Sequence, residues 1–169
     1  SVTGADEYLL YVSESSGFGS HLSGYNGKEI TSTGHTISNL DPGKAYYYRV
    51  KAKTNYYTTG YSNTNTANTK LVPPNATAET CRTDDSFIAN WNASTNATTY
   101  LLYVSTSSSF SSHVSGYNGY ELSGTSHEVD GLSGGTYYYR VKAKNSLNTS
   151  SYSNERTVNL LTQHTVGFR

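Results

Sequence analysis

Several stretches of this chain occur twice in the same order. YLLYVS stands at Tyr8 to Ser13 and again at Tyr100 to Ser105, and SGYNG at Ser23 to Gly27 and again at Ser115 to Gly119, both pairs 92 residues apart. A one-residue shortening precedes the triple tyrosine. YYYRVKAK (Tyr46 to Lys53) then returns as Tyr137 to Lys144, and YSN (Tyr61 to Asn63) as Tyr152 to Asn154, now 91 residues apart. From Tyr100 to Asn154, 33 of 55 positions match the first copy, too many for segments that merely share a turn grammar. A repeat of this period predicts two copies of one folding unit, each of about ninety residues.

Within each copy the apolar residues alternate. In the second, Phe87, Ala89 and Trp91 are separated by polar neighbours, as are Tyr100, Leu102 and Val104, and then Tyr137, Tyr139, Val141 and Ala143. Period two puts one set of side chains on each face of a strand. The intervening segments 92–96, 115–119 and 130–135 are rich in Asn, Ser, Thr or Gly, and the 17 Tyr and 15 Gly against no Met favour strands and turns over helices. The pattern predicts an all-β sandwich.

Other classes fit poorly. Twelve basic and twelve acidic residues cancel, which supplies no broad positive field for nucleic acid or anionic lipid. No run of even ten apolar residues occurs, so neither a transmembrane helix nor an attached signal peptide is expected. Cys81 is the only cysteine, which rules out an intrachain disulfide and a thiolate zinc site and reads as a small, semi-buried side chain. His21 and His35 recur as His113 and His127 without HExxH spacing, there is no GxSxG elbow, and Asp41, Asp84, Asp85 and Asp130 lack the spacing of a calcium loop. No metal, cofactor or catalytic residue is expected. Sequons at Asn75, Asn92, Asn96 and Asn148 fall in loops or linkers; they would be glycosylation acceptors in a eukaryotic secretory pathway, whereas in a bacterial protein so rich in Asn, Ser and Thr they are expected by chance.

The arrangement resembles the fibronectin type III family over nearly the whole chain apart from the last ten residues. The residues that carry the resemblance in the second copy are the Pro73-Pro74 entry, Trp91, the YLLYVS strand, the Leu132 to Gly135 turn, the series Tyr137, Tyr139, Val141, Ala143, and YSN. In the first copy Leu40, Pro42 and Gly43 precede Tyr46, Tyr48, Val50 and Ala52. The resemblance implies a tyrosine corner, in which the hydroxyl of the first tyrosine ties back to upstream backbone. The serine-rich run to Phe, then SGYNG, YYYRVKA and YSN, is similar to modules in large secreted or surface-anchored proteins of Bacteroidetes-type bacteria. That likeness implies an extracellular, non-catalytic stalk, spacer, filament or adhesive repeat. Its partners would be other copies or neighbouring modules, with glycans or surface proteins as further candidates, and a carbohydrate-binding accessory module is the alternative role. No Arg-Gly-Asp loop is present.

The expected organisation is two immunoglobulin-like sandwiches in tandem: residues 1–71 as a module with strands C to G, 72–160 as a complete module, and 161–169 as a tail or linker. Ser1 aligns with Ala93, so the first copy has no counterpart of residues 72–92, and strands A and B are expected to be missing from it. One of its sheets would keep little more than strand E, leaving Tyr8, Leu10, Tyr48 and Val50 without a covering layer. Two explanations stand: the chain is an excerpt of a longer array, or the tail donates a strand to another molecule through alternating His164, Val166 and Phe168. On the outward parity, Leu9, Tyr11, Tyr47 and Arg49 in one copy, and Leu101, Tyr103, Tyr138 and Arg140 in the other, form a candidate binding stripe of rings and cationic stems, continued by Lys51 and Lys142.

Overall fold

A computed structural model describes residues 2–80 and 83–161. They fall into two compact units, Ser1–Thr69 and Lys70–Arg169, and their regular structure is all strand. Unit 1 holds β1 (Glu7–Ser13), β2 (Asn26–Ile30), β3 (Ala45–Lys53) and β4 (Asn65–Asn68) in one antiparallel sheet of order β2-β1-β3-β4. Unit 2 holds β5 (Ala76–Thr80), β6 (Phe87–Trp91), β7 (Thr99–Ser105), β8 (Asn118–Leu122), β9 (Ser126–Val129), β10 (Gly135–Lys144) and β11 (Arg156–Leu160). These form two sheets, β11-β10-β7-β8 and β5-β6-β9. Trp91, Tyr137 and their alternate neighbours thus stand on strands, and Cys81 and the candidate donor residues His164, Val166 and Phe168 lie outside the described residues.

Unit 2 is a sandwich because every strand presents one apolar face, and two such faces exclude water only by meeting. Phe87 and Ala89 from one sheet and Leu102, Val104, Tyr139, Val141 and Val158 from the other are fully buried in a single cluster. Each large member contributes about 1.5 to 3 kcal/mol by leaving water. The Phe87 and Tyr139 rings stack at 5.8 Å, and Trp91 meets Tyr100 at the same spacing. Tyr139 places a polar tip inside the core, and burial raises its pKa above that of a free phenol. Its hydroxyl donates to the Thr77 carbonyl and accepts the Asn90 N–H at 3.4 Å, tying the β10 sheet to β5 and β6.

The tyrosine corner implied by the resemblance is present in both units. The Tyr137 hydroxyl donates to the Ser133 carbonyl at 2.9 Å, and the Tyr46 hydroxyl accepts the Asp41 N–H at 3.0 Å. YSN also has a physical role. Ser153 Oγ accepts the Val141 N–H at 2.9 Å, satisfying the edge of β10 where β11 has not yet begun. Asn154 grips β5 at both groups of one residue, accepting the Ala76 N–H at 2.8 Å and donating to the Ala76 carbonyl at 2.9 Å.

Unit 1 repeats one sheet and not the other. The pairing of β1 with β3 has the register of β7 with β10, Arg49 opposite Tyr11 as Arg140 is opposite Tyr103, and both copies carry a bulge at the same place in YLLYVS. The expectation that strand E would survive in the first copy is not met: residues 34–37, the counterpart of β9, form no strand. In unit 2, β9 owes its ladder to β6, with Phe87 opposite Val129 and Ala89 opposite His127. No such partner exists among the described residues of unit 1, and a strand without a partner has no cross-strand hydrogen bonds to hold it. The 31–44 segment instead folds inward. Ile37 and Leu40 join Leu22 and Ile30 against Leu10, which is 4% exposed, while Tyr8, Tyr48 and Val50 remain half-buried.

Equivalent substitutions should therefore cost different amounts. Val141→Ala is expected to destabilise unit 2 by about 2 to 3 kcal/mol, and Val50→Ala to destabilise unit 1 by less than about 1 kcal/mol. Trp91 is the one tryptophan of the chain and lies in unit 2, so urea unfolding followed by its fluorescence should shift for Val141→Ala and stay in place for Val50→Ala.

Candidate binding face: a ladder of rings and cations

Opposite parity to the core brings the predicted stripe onto the outer face of the β11-β10-β7-β8 sheet. Arg140 lies opposite Tyr103, Lys142 opposite Leu101 and Tyr138 opposite Ser105. In unit 1, Arg49 lies opposite Tyr11, Lys51 opposite Leu9 and Tyr47 opposite Ser13. Leu101, Tyr103, Tyr138 and Arg140 are all half-buried, as are Leu9, Tyr11, Tyr47 and Arg49. Their companions do this. The Arg140 guanidinium sits 3.9 Å from the Phe110 ring centre and 3.6 Å from that of Tyr152, a cation held between two aromatic faces. Lys142 reaches the same Tyr152 ring at 4.0 Å, and Tyr152 stands edge-on to Tyr103 at 5.0 Å. Unit 1 reproduces the set, with Arg49 3.9 Å from Phe18 and 3.6 Å from Tyr61, Lys51 4.2 Å from Tyr61, and Tyr61 edge-on to Tyr11.

Phe110 and Tyr152 are absent from the stripe drawn by strand parity because neither lies on a strand. Phe110 and Phe18 both adopt φ 54°, a left-handed conformation that costs an L residue about 1 to 2 kcal/mol, and the turn so made swings each ring under its arginine. The signals available in the sequence were the Phe that ends each serine-rich run and the Tyr of each YSN. Gly119 is equally constrained. It has φ +90°, and a Cβ there would lie 3.2 Å from the Tyr103 hydroxyl oxygen, so the second glycine of SGYNG makes room for the ladder. Gly27 does the same beneath Tyr11.

The repeated histidines pack as rings. His113 lies against Tyr103 and Phe110, His21 against Tyr11 and Phe18, and His35 against Tyr25. His127 differs, because Tyr120 takes the place of Lys28. The His127 ring lies 4.5 Å from that of Tyr120 and 5.8 Å from that of Tyr117, which bridges to His127 Nε2 at 3.3 Å. This cluster closes the gap between edge strands β8 and β9 and leaves Tyr120 42% exposed.

The ladder also sets how the face responds to pH. The Tyr103 phenol is pushed above its ordinary value first by burial and then by neighbouring Tyr152, with Arg140 pulling the other way. Tyr11 is raised by burial and by Tyr61. Around the ladder, ion pairs join Lys144 to Glu121 at 2.7 Å and Lys53 to Glu7 and Glu29 at 2.6 Å. The Glu121 carboxyl is lowered by its hydrogen bonds from Lys144 and Thr99. Exposed pairs of this kind contribute little stability at ordinary salt.

No protein-family model and no curated protein matches the chain. Among solved structures, a segment of two fibronectin type III domains from chicken tenascin aligns with TM-score 0.64 over 94% of this chain and 87% of that one, at 16% identity. The FN1-FN3 domains of chicken CNTN1 align with TM-score 0.46 over 94% of this chain and 55% of that one, at 15% identity. The sixth fibronectin type III domain of a human fibronectin type III domain containing protein aligns with TM-score 0.45 over 59% of this chain and 91% of that one, at 23% identity. The tenascin likeness speaks to the fold: all-β, with the antiparallel sheets of fibronectin type III modules.

Two outcomes test the ladder. Arg140→Lys keeps the charge and loses the plane between the rings, and is expected to destabilise unit 2 by about 1 kcal/mol; a double-mutant cycle of Arg140→Ala with Tyr152→Ala should show coupling of about 0.5 to 1 kcal/mol. In alkaline titration, a folded-state phenol raised above the unfolded value of about 10 contributes stability that is whole below that pH and lost as pH rises through the folded value. Unfolding midpoints should accordingly fall above about pH 10, with a shallower fall in Tyr103→Phe.

Proposed function

We propose that this chain is a non-catalytic, extracellular structural or adhesive repeat: a stalk, spacer or filament-forming module of a bacterial surface protein, whose partners are neighbouring modules or other copies. The observation that carries this is the duplicated ladder. Two units whose repeated segments match at 33 of 55 positions hold arginine between two rings at matching distances. Its cations and rings pack on one another, so the repeated feature of the chain is a stiffened sheet. The fibronectin type III fold and the resemblance to bacterial surface modules both support placement outside the cell.

Force applied along a β-sandwich is resisted by the strand pairs that must separate together. Single-molecule extension of the chain should show one discrete event for unit 2 with a contour gain of roughly 250 to 300 Å, at a lower force in Arg140→Ala. Extension of unit 2 without a discrete event contradicts a load-bearing role.

A second reading, a carbohydrate-binding accessory module, is favoured by one observation, the exposed Tyr120 in the Tyr117 and His127 cluster. Aromatic faces stack on sugar rings through apolar C–H surfaces. Glycan-array binding by the chain that disappears in Tyr120→Ser supports this role, and an array without signal excludes it for the glycans displayed.

A further inference from the structure

The third residue after the tyrosine of SGYNG differs between the copies, and it decides what that tyrosine meets. In unit 1 it is Lys28, whose ammonium lies 5.6 Å from the Tyr25 ring centre, a cation resting on an aromatic face. Unit 2 has Tyr120 there. Tyr117, the counterpart of Tyr25, therefore meets a second ring at 5.6 Å where Tyr25 meets an ammonium. The histidine beside the tyrosine is common to both, His35 against Tyr25 and His127 against Tyr117.

Two further changes flank the same histidine. Thr36 and Ser38 of unit 1 correspond to Glu128 and Asp130 of unit 2, both exposed. All three replacements act in one direction: an ammonium is removed and two carboxylates are added. Tyr117 registers the result, its phenol being raised first by burial and then by Asp130, Tyr120 and Glu128. Its hydroxyl is held by the Glu128 carbonyl at 3.4 Å and by His127 Nε2 at 3.3 Å, while the His127 ring backs that of Tyr120 at 4.5 Å and leaves Tyr120 42% exposed. The site in unit 1 carries its own cation. The site in unit 2 is complementary to one from outside.

We infer that the Tyr117, Tyr120 and His127 cluster of unit 2 binds a primary ammonium group carried on a sugar ring, as in a glucosamine unit, in the role that Lys28 fills in unit 1. The inference rests on the carbohydrate-binding reading and names its ligand class. The exposed Tyr120 ring stacks on the apolar C–H face of the pyranose, and the ammonium lies over the aromatic faces within the field of Glu128 and Asp130. A sugar is favoured over a lysine chain because Tyr120 offers a flat platform, wider than an ammonium alone can use.

The test titrates the full chain at neutral pH and low salt with a short β-linked glucosamine oligomer, with its N-acetylated form and with N-acetyl-lysine amide, following the ring signals of Tyr117, Tyr120 and His127. The glucosamine oligomer should give saturable shifts, with an affinity at least about tenfold above that of either other compound. Binding should weaken in Asp130→Asn and disappear in Tyr120→Lys, which installs the residue of unit 1 and whose fold is checked by unchanged Trp91 fluorescence. Equal affinity for the acetylated oligomer overturns the inference and leaves the carbohydrate reading standing. Shifts from neither oligomer also overturn it, while the glycan array decides the wider reading independently. Equal affinity for the lysine compound, or unchanged binding in Tyr120→Lys, overturns it as well.

Discussion

The packing of Tyr137, Tyr139, Val141 and Ala143 beneath β5 and β6 is the interaction on which the rest of unit 2 depends. With that face covered, the parity of β10 is fixed, since a slip of one residue would send Tyr138, Arg140 and Lys142 into the core and the four core residues into water. The outer ladder is therefore a consequence of the inner packing. Arg140 meets Phe110 and Tyr152 only because β10 is held with that side outward and the flanking turns are drawn over it. Unit 1 shows how far this dependence goes. Its β1 and β3 pair in the same register and its ladder is complete, so cross-strand pairing and the rings suffice for one sheet. They do not suffice for strand order in residues 34–37, where the partner strand is what counts.

A division of labour between the two faces follows. The outer face is closed upon itself: its arginine is held between rings, and its tyrosines touch each other edge to edge. Such a surface suits a stiff repeat better than a ligand cradle, because an occupant would have to displace contacts already made. On the inner face of unit 1 the opposite holds, with half-buried aromatic and branched residues beside an amide and a hydroxyl that serve backbone recognition in the other copy.

Most of the fold was legible in the sequence because both of its signals are local and doubled. Alternation in YLLYVS and YYYRVKAK fixed which side chains enter the core, and the repeat identified two copies of one sheet. The tyrosine corner was legible through resemblance, its hydroxyl bonds falling where the family pattern put them. Strand E of unit 1 was misjudged for a non-local reason: residues 34–37 keep His35 and an apolar Ile37, but strand formation there depends on a partner that local pattern does not describe. Phe110 and Tyr152 were missed as ladder members because a left-handed turn and an irregular edge, neither of which has a period, bring them to Arg140. The clamp made by Asn154 was equally hidden, being a contact between positions 78 residues apart.

The central claim is that the same apolar face is sealed between two sheets in unit 2 and left partly open in unit 1. Methyl resonances read with and without a soluble paramagnetic probe measure this most directly. The account predicts that Leu102, Val104 and Val141 keep their full intensity while Val50 is strongly attenuated. Attenuation of Val141 to the extent of Val50, or full protection of both, would contradict it.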